Sequence, residues 1–232
     1  MSSPTPTSSS GDPIGFLVTA GPTWEPVDEV RFLGNRSSGR LGVAIAHAVA
    51  ARGHRITLLR GPATAEPTPS PHLTDLRFQT ASELDDLLHR HWPSHDVLVM
   101  AAAVADFRPK RPEGAPRKLR RSDGPRSIEL EPVPDLLAGI AEVPHAGTRI
   151  GFALEPAEEL AAGALRKLET KRLHAIVANP LETMDADRID GTLMHADGTT
   201  LRADRTPIEK PVFADWVVER AVELHRRRIR ET

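Results

Sequence analysis

Short apolar runs and amphipathic segments follow one another along most of the chain. Apolar runs at residues 14–20, 55–61 and 96–107 predict buried strands. Between the first two runs, apolar residues from Leu41 recur at spacings of three and four until Gly53, which is the period of a helix with one buried face. This alternation of strand and helix is typical of a parallel sheet with helices on both of its faces.

The rest of the chain continues the pattern. Ser82 is the predicted N-cap of a helix, and Asp197-Gly198 is the turn signal of a hairpin. The further predicted strands are 76–80, 148–155 and 175–180, and the further predicted helices are 81–92, 134–143, 157–174 and 210–227. The sequence therefore predicts a Rossmann-like α/β fold with a mostly parallel sheet, helices on both faces, and a C-terminal hairpin and helix.

Two segments fall outside this alternation. Residues 1–13 are rich in Ser, Thr and Pro and offer little to bury, so we expect a disordered tail. The stretch at about 108–132 is basic, rich in Pro and Gly, and too polar for a core element, which predicts an inserted flap or hairpin arm. We expect residues 14–232 to form a single domain that carries this arm.

Composition excludes several classes of function. Acidic and basic residues number 32 and 30, so the net charge of -2 gives no field that would favour nucleic acid as a partner. The sequence has no run of about 20 apolar residues and no signal peptide, which predicts a cytoplasmic protein without a membrane partner. Without cysteine, thiol chemistry is excluded, and the ten histidines show no metal-ligand spacing, so we predict no protein metal site.

The motif NRSSGRLG, residues 35–42, lies at the predicted entrance to the first helix. Unpaired backbone N–H groups and the helix dipole make such an entrance a ready site for an anion. The residues suited to that role are Arg36, Ser37, Ser38, Gly39, Arg40 and Gly42. The structural alternative is an ordinary serine N-cap, with glycines that allow close helix packing, and it explains the same residues. Because the dinucleotide fingerprint and the P-loop are both missing, the two interpretations stay open on the pattern alone.

Three further groups are candidates for chemistry, each with a structural alternative. Asp106 follows three alanines at a strand end, where it could bind a ligand or simply make a turn. Lys118 lies in the basic arm, which is either a flap for a transferring phosphoryl group or a solvated surface. Lys167 and Lys171 share one side of a predicted helix and could grip a polyphosphate or form a solvated face with Glu169.

Taken together, these segments resemble phosphopantothenate-cysteine ligase, also called phosphopantothenoylcysteine synthetase. The resemblance runs from about Ile14 to the last strand and hairpin. It rests on seven motifs in the family's order: GPTWEPVDEVRFLGNRSSGRLG, AAAVADF, KLRR, PDLL, GFALE, KLETK and VAN.

This resemblance implies a two-step ligation in coenzyme A biosynthesis. The carboxylate of 4'-phosphopantothenate attacks the α-phosphate of a nucleoside triphosphate, CTP ahead of ATP, and the amine of cysteine then displaces the nucleotide. Mg²⁺ is expected to accompany the triphosphate. The chemistry needs no protein nucleophile, and it depends on positioning and on cationic stabilisation.

The resemblance also assigns roles residue by residue. The catalytic residues it implies are Asn35, Asp106 and Lys118. The implied nucleotide site comprises Gly21, Ser37, Gly39, Gly42, Asp106, Lys118, Pro134, Asp135, Leu136, Leu137, Phe152, Lys167, Lys171 and Asn179. The implied phosphopantothenate site comprises Asn35, Ala102, Ala103, Asp106 and, from the partner subunit of a homodimer, the equivalent of Arg31.

Two alternatives remain to be weighed against the ligase. A nicotinamide-dependent oxidoreductase is disfavoured because the glycine fingerprint and tyrosine are both missing from the sequence. A non-catalytic nucleotide-binding relative would have no reason to keep Asn35, Asp106, Lys118 and both helix lysines. Many bacterial relatives carry a flavin-dependent decarboxylase domain that this sequence lacks, so we expect the decarboxylation to belong to another protein.

Overall fold

Eight strands of the computed structural model form one twisted sheet. The structure describes residues 12–110, 118–183 and 186–231, so the predicted tail up to residue 11 and residues 111–117 of the predicted arm lie outside the described residues. The strands are β1 (Gly15–Ala20), β2 (Trp24–Pro26), β3 (Phe32–Gly34), β4 (Arg55–Arg60), β5 (Leu73–Arg77), β6 (Val97–Met100), β7 (Phe107–Pro109), β8 (Leu130–Pro132), β9 (Thr148–Glu155), β10 (Ala175–Pro180), β11 (Arg188–Ile189), β12 (Thr192–His195), β13 (Thr200–Arg202) and β14 (Ile208–Glu209).

The order of the main sheet is β13-β12-β10-β9-β6-β1-β4-β5. From β10 to β5 every neighbouring pair is parallel, while β12 and β13 add an antiparallel edge. The chain moves from β1 outward to β4 and β5 and then returns to β6 on the other side of β1. This reversal leaves a crevice at the carboxyl ends of β1 and β6, where ligands bind in open α/β sheets.

Helices cover both faces of the sheet, as predicted. They are α1 (Arg40–Ala51), α2 (Ala81–His91), α3 (Leu136–Ala141), α4 (Leu160–Thr170) and α5 (Lys210–Glu231). One apolar core joins α1 and α5 to the sheet through residues such as Ile45 and Phe213, and a second core joins α2, α3 and α4 to the opposite face. Within the described residues no helix is long and apolar enough to span a bilayer.

Among the described residues, three two-stranded pairs lie outside the main sheet, namely β2–β3, β7–β8 and β11–β14. Strands β7 and β8 pair in antiparallel fashion and form the base of the predicted arm. Strands β2 and β3 also pair, where the sequence suggested only an irregular connection, and the rings of Trp24 and Phe32 stack there at a centroid distance of 3.9 Å. The predicted hairpin around Asp197-Gly198 is present as β12 and β13, and β11 pairs with β14.

Some predicted boundaries were wrong. The N-cap of α2 is Thr80, not Ser82, because Thr80 is extended and its hydroxyl accepts from the N–H of Glu83. The N–H of Thr80 in turn donates to the Glu83 carboxylate, which completes a capping box. Strand β5 spans Leu73–Arg77, whereas residues 76–80 were predicted, and α4 is shorter than predicted at both ends. Strand β6 ends at Met100, since the following alanines bond to loop and side-chain groups instead of a regular ladder.

Candidate active site

A cavity of about 770 Å³ opens at the carboxyl ends of the parallel strands. Its walls come from the loop before α1, the segment after β6, the start of α3, strands β9 and β10, and helix α4. The lining residues are Asn35, Arg36, Ser37, Ser38, Gly39, Arg40, Leu41, Gly42, Met100, Ala101, Ala102, Ala103, Val104, Ala105, Asp106, Val133, Pro134, Asp135, Leu136, Leu137, Phe152, Leu154, Lys167, Lys171, Asn179, Ile189 and Lys210.

Helix α1 presents its N-terminus to this cavity. Its N-cap is Gly39, which has a φ of 65° and makes no side-chain cap bond, so the interpretation of an ordinary serine N-cap was wrong. A side chain at Gly39 would lie 2.4 Å from Cγ2 of Thr64, and one at Gly42 would lie 2.6 Å from Cβ of Ala20. Glycine therefore lets the helix start pack directly against the sheet, and its first backbone N–H groups face the cavity.

The segment after β6 forms a second wall. The N–H of Ala102 donates to Oγ1 of Thr19 at 2.9 Å, and the N–H of Ala103 donates to the carbonyl of Gly21 at 2.9 Å. Asn35 crosses from the α1 loop and donates from Nδ2 to the carbonyl of Val104 at 2.9 Å. The small side chains leave this wall open to a ligand, while the amide of Asn35 is held at its surface.

Two lysines of α4 form the third wall. Lys167 lies 2.7 Å from Oε1 of Glu155, and Lys171 lies 3.0 Å from Oδ2 of Asp135. Asp135 is also the N-cap of α3, because its Oδ1 accepts from the N–H of Ala138 at 3.1 Å. The lysines thus face the cavity and do not form a solvated surface pair with Glu169, and carboxylates from two other elements fix their positions.

Positive charge predominates around the cavity. Among the described lining residues five side chains are cationic, namely Arg36, Arg40, Lys167, Lys171 and Lys210, and two are anionic, namely Asp106 and Asp135. Arg40 forms an ion pair of 2.6 Å with Asp187, whose carbonyl accepts from the N–H of Lys210 at 3.1 Å. Asp187 therefore joins the starts of α1 and α5 at the cavity rim.

Three residues that the resemblance assigned to the site lie outside this lining. Gly21 sits behind Gly39, with Thr64 packed against both. Lys118 is exposed at the arm, and Arg31 lies on the β2–β3 hairpin. Their assigned roles therefore need either an indirect contribution, as for Gly21, or a contact made by the arm or by a second subunit.

A buried carboxylate connects the arm to the β2–β3 hairpin. Asp28 accepts from the N–H groups of Val30, Arg31 and Leu119 at 2.8, 2.7 and 2.9 Å. These backbone donors, that of Leu119 first, together with the Arg31 guanidinium lower the pKa of Asp28 to about 2. Arg31 also donates to the Leu119 carbonyl at 3.2 Å. This group, which we name the arm anchor (Asp28, Arg31 and Leu119), fixes the residue next to Lys118.

Sequence reasoning missed Lys210 and did not carry Arg36 and Arg40 into the site. Lys210 begins α5, and Arg40 begins α1. A cation at a helix N-terminus is unfavourable because it opposes the helix dipole. Its presence there therefore indicates that an anion lies nearby to compensate. Both α1 and α5 begin with such a cation. Because Arg40 and Lys210 are far apart in sequence, the sequence did not indicate that they lie close together in space.

The arrangement suits an elongated anionic ligand. A helix N-terminus supplies backbone N–H groups, and the surrounding cations supply charge that strengthens as water is excluded. Among the residues described, no group of three or more His, Asp or Glu side chains could hold a metal ion.

Comparison with known proteins places these features in context. The family model described as "DNA/pantothenate metabolism flavoprotein C-terminal domain" matches residues 13–224. The "Coenzyme A biosynthesis bifunctional protein CoaBC" of Mycobacterium tuberculosis is 39% identical over 197 residues, which cover 79% of this chain and 46% of that protein. The chain thus spans about half the length of this curated relative.

Solved structures agree with this match. The C-terminal domain of a coenzyme A biosynthesis bifunctional protein CoaBC is 31% identical, with a TM-score of 0.75 over 91% of this chain and 95% of that one. A Cab2 mutant in complex with phosphopantothenate-cysteine is 19% identical, with a TM-score of 0.75 over 94% of this chain and 88% of that one. The second likeness concerns the fold alone.

Proposed function

Because this chain belongs to the family of DNA/pantothenate metabolism flavoprotein C-terminal domains, we propose that it is a phosphopantothenate-cysteine ligase of coenzyme A biosynthesis. The observation that carries the proposal is the cavity, which brings Asn35, Asp106 and the pair Lys167 and Lys171 to one helix N-terminus. These residues come from separate motifs, and packing for stability alone does not require their convergence.

The nucleoside triphosphate would lie along the cationic side of the cavity. Backbone N–H groups at the start of α1 would bind phosphate oxygens, with Lys167 and Lys171 opposite them. Pro134, Leu136, Leu137 and Phe152 offer apolar contact for base and ribose. Mg²⁺ would arrive on the triphosphate, since it keeps several waters and binds through substrate phosphates.

The phosphopantothenate would lie against the segment after β6. Ala102 and Ala103 leave room for the pantothenate chain, and Asp106 would accept its hydroxyl or amide hydrogen bonds. In the first step a carboxylate oxygen of the substrate attacks the α-phosphorus, the bond to the β-phosphate oxygen breaks, and pyrophosphate leaves. The product is a mixed anhydride between the pantothenate carbonyl and the nucleotide.

In the second step the amine of cysteine attacks that carbonyl. The carbon–oxygen bond to the nucleotide breaks, the nucleoside monophosphate leaves, and the nitrogen loses a proton to give the amide. Asn35, whose Nδ2 donates to the carbonyl of Val104, would use its second amide N–H to donate to the oxyanion that forms. In the first step Lys118, on the arm, would neutralise the transferring phosphoryl group.

A homodimer is part of the proposal. Both hairpins beside the arm anchor expose large apolar side chains, namely Val30, Phe32, Leu33, Phe107, Ile128 and Leu130. Such a patch is typical of a subunit interface. Association through it would bring Arg31 of one subunit toward the phosphopantothenate phosphate of the other, and we place the assembled enzyme in the cytoplasm.

Product analysis tests the function. The purified chain is incubated with 4'-phosphopantothenate, cysteine and Mg²⁺, with CTP and ATP in separate reactions, and the amide product is quantified by mass spectrometry. We expect product that depends on all substrates and that forms faster with CTP than with ATP. If folded protein forms no amide with either nucleotide, the ligase proposal is wrong, and binding of NAD(P)H or of a triphosphate alone would decide between the two alternatives.

A further inference from the structure

Thr23 lies between two segments that form walls of the candidate active site. It is completely buried, at 0% exposure, in the connection between β1 and β2. Its backbone N–H donates to the carbonyl of Ala103 at 3.2 Å, beside an isolated parallel bridge between Pro22 and Ala103. A Cβ atom added to Gly34, the residue before Asn35, would lie 2.7 Å from the Thr23 carbonyl oxygen. Thr23 therefore packs against both the segment after β6 and the chain that carries Asn35.

One peptide group joins Thr23 to Asn35. The N–H of Ala105 donates to Oγ1 of Thr23 at 3.0 Å. The carbonyl of Val104 accepts from Nδ2 of Asn35 at 2.9 Å. The Val104 carbonyl and the Ala105 N–H belong to the same planar peptide unit, in which they point in opposite directions. The Thr23 hydroxyl and the Asn35 amide are therefore bonded to the two ends of one rigid group.

These two bonds determine the orientation of the peptide group. Ala105 is buried, so its N–H needs a protein acceptor, and the Thr23 hydroxyl supplies it. Without that acceptor the N–H would be left unpaired, and rotation of the peptide towards another acceptor would turn the Val104 carbonyl away from Asn35. Hydrogen bonds at the two ends of a peptide group also strengthen each other through polarisation. The position of the Asn35 amide therefore depends on Thr23, although Thr23 does not line the cavity.

We propose that Thr23 is a positioning residue for the second step of the ligation, and that it acts on Asn35 through the peptide group between Val104 and Ala105. This role rests on the proposed function, in which the second amide N–H of Asn35 donates to the oxyanion. A carbonyl can only accept, so the Val104 carbonyl fixes which end of the Asn35 amide is the donor. Stabilisation of the oxyanion requires that this donor is already in place when the charge develops.

Separate measurement of the two steps tests this role. In rapid-quench experiments the enzyme is mixed with 4'-phosphopantothenate and CTP or ATP, first without cysteine to follow formation of the acyl-nucleotide, and then with cysteine to follow its conversion. Thr23→Val replaces the hydroxyl by a methyl group, and we expect the conversion rate to fall at least about tenfold more than the formation rate. Thr23→Ser keeps the acceptor oxygen and should retain most of the wild-type conversion rate. Equal losses in the two steps of Thr23→Val, or the same selective loss in Thr23→Ser, overturn the proposal.

Thr19→Val is the matched control for the loss of a buried hydroxyl beside the same segment. Thr19 is as buried as Thr23, and its Oγ1 accepts from the N–H of Ala102 at 2.9 Å, which does not belong to the peptide group that holds Asn35. We expect Thr19→Val to lower the midpoint of urea unfolding, as Thr23→Val does, but without a selective loss of conversion. An equally large selective loss in Thr19→Val would contradict the proposal. If valine at position 23 prevents folding, Thr23→Ala removes the same hydroxyl and takes its place in the comparison.

A double variant separates positioning of Asn35 from general support of the fold. In an Asn35→Ala background the group that Thr23 positions is absent, so Thr23→Val should slow conversion by no more than about twofold further. Losses that multiply in the double variant would show that Thr23 acts without Asn35, and the proposal would be wrong. Wild-type protein that forms no amide would instead disprove the ligase function, and this role with it, so the two failures are distinguishable.

Discussion

At the scale of single residues, Gly39 links the fold to the candidate chemistry. It gives α1 a start that no L-residue adopts without strain, and it brings that start against Thr64. Thr64 is itself held by Arg60, whose guanidinium donates to the Thr64 carbonyl at 3.0 Å and pairs with Asp75 at 2.7 Å. A partly buried ion pair therefore supports the loop against which the start of α1 packs.

This account predicts unequal effects for two glycine substitutions. Gly198→Ala changes a turn glycine with a φ of 88° and open space around it, so it should cost only the conformational penalty of about 1–2 kcal/mol. Gly39→Ala adds a clash with Thr64, and we expect at least about 1 kcal/mol more, together with weaker nucleotide binding. Urea unfolding and nucleotide titration of both variants measure this. Equal losses of stability would mean that the contact with Thr64 is unimportant.

Asn35 gives a second prediction at this scale. Asn35→Asp replaces an N–H donor by a negative charge beside the reacting carbonyl, so the second half-reaction should slow by on the order of 100-fold while the first continues. Acyl-nucleotide should then accumulate, as rapid quench and mass spectrometry would detect. Turnover at the wild-type rate in this variant removes Asn35 from the mechanism.

The sequence predicted the position of residues that lie in short local motifs. It missed residues that are close in space but far apart in sequence. Most residues that the resemblance assigned lie on the cavity, because short loops carry them to one edge of the sheet. Whether they bind the proposed substrates stays a prediction. Lys210 was missed since its neighbours in space are far away in sequence, and the cap of α2 was misplaced because serine and threonine compete for that position two residues apart.

At the scale of elements, the arm anchor determines where the arm meets the body. The low pKa of Asp28 keeps its carboxylate ionised throughout the neutral and mildly acidic range. Its stabilising effect is therefore present above the unfolded pKa of about 3.9 and lost only as the pH falls toward 2. The anchor thus holds Leu119, and with it the base of Lys118, under all ordinary conditions.

Releasing the anchor should impair catalysis through the arm. Asp28→Asn removes the charge that accepts three backbone N–H bonds, so trypsin should cut sooner after Lys118, Arg120 and Arg121. We expect kcat to fall about 10- to 100-fold through misplacement of Lys118. We expect a similar fall in Lys118→Gln, without loss of folding. Asp86→Asn, at an exposed position of α2, is the matched control. Unchanged proteolysis and kcat in Asp28→Asn would show that the anchor does not position the arm.

Most elements were predictable because their periodicity is strong. The central strands are continuous apolar runs, and α5 shows a clear stripe through Phe213, Val217 and Leu224. The short β2–β3 hairpin was not predictable, since three-residue strands carry almost no periodic signal. Strand β6 was predicted too long because its alanines are as apolar as a strand, and only their hydrogen bonds to Thr19 and Gly21 show otherwise.

At the scale of the whole molecule, buried histidines should make stability depend on pH. Burial is the main cause that lowers the pKa values of His54, His95, His174, His195 and His225. The folded state keeps these rings neutral, whereas the unfolded state protonates them near pH 6.5. Between pH 6.5 and about 4 the unfolded state therefore binds more protons, and stability falls as the solution is acidified.

A comparison of variants tests this slope. His174→Gln should flatten the loss of unfolding free energy between pH 6.5 and 4, measured by urea unfolding in buffers without phosphate. The matched control, His72→Gln, changes an exposed side chain before β5 and should keep the wild-type slope. Parallel slopes for His174→Gln and the wild type would contradict the account of His174.

The central claim is that the cavity at the carboxyl ends of the strands joins the phosphopantothenate carboxylate to a nucleotide. Pyrophosphate release by the purified chain, measured with CTP or ATP in the presence and absence of 4'-phosphopantothenate and without cysteine, tests it most directly. The account predicts release that requires phosphopantothenate and that falls sharply in the double variant Lys167→Gln, Lys171→Gln. Release without phosphopantothenate, or none from folded wild-type protein, would contradict it.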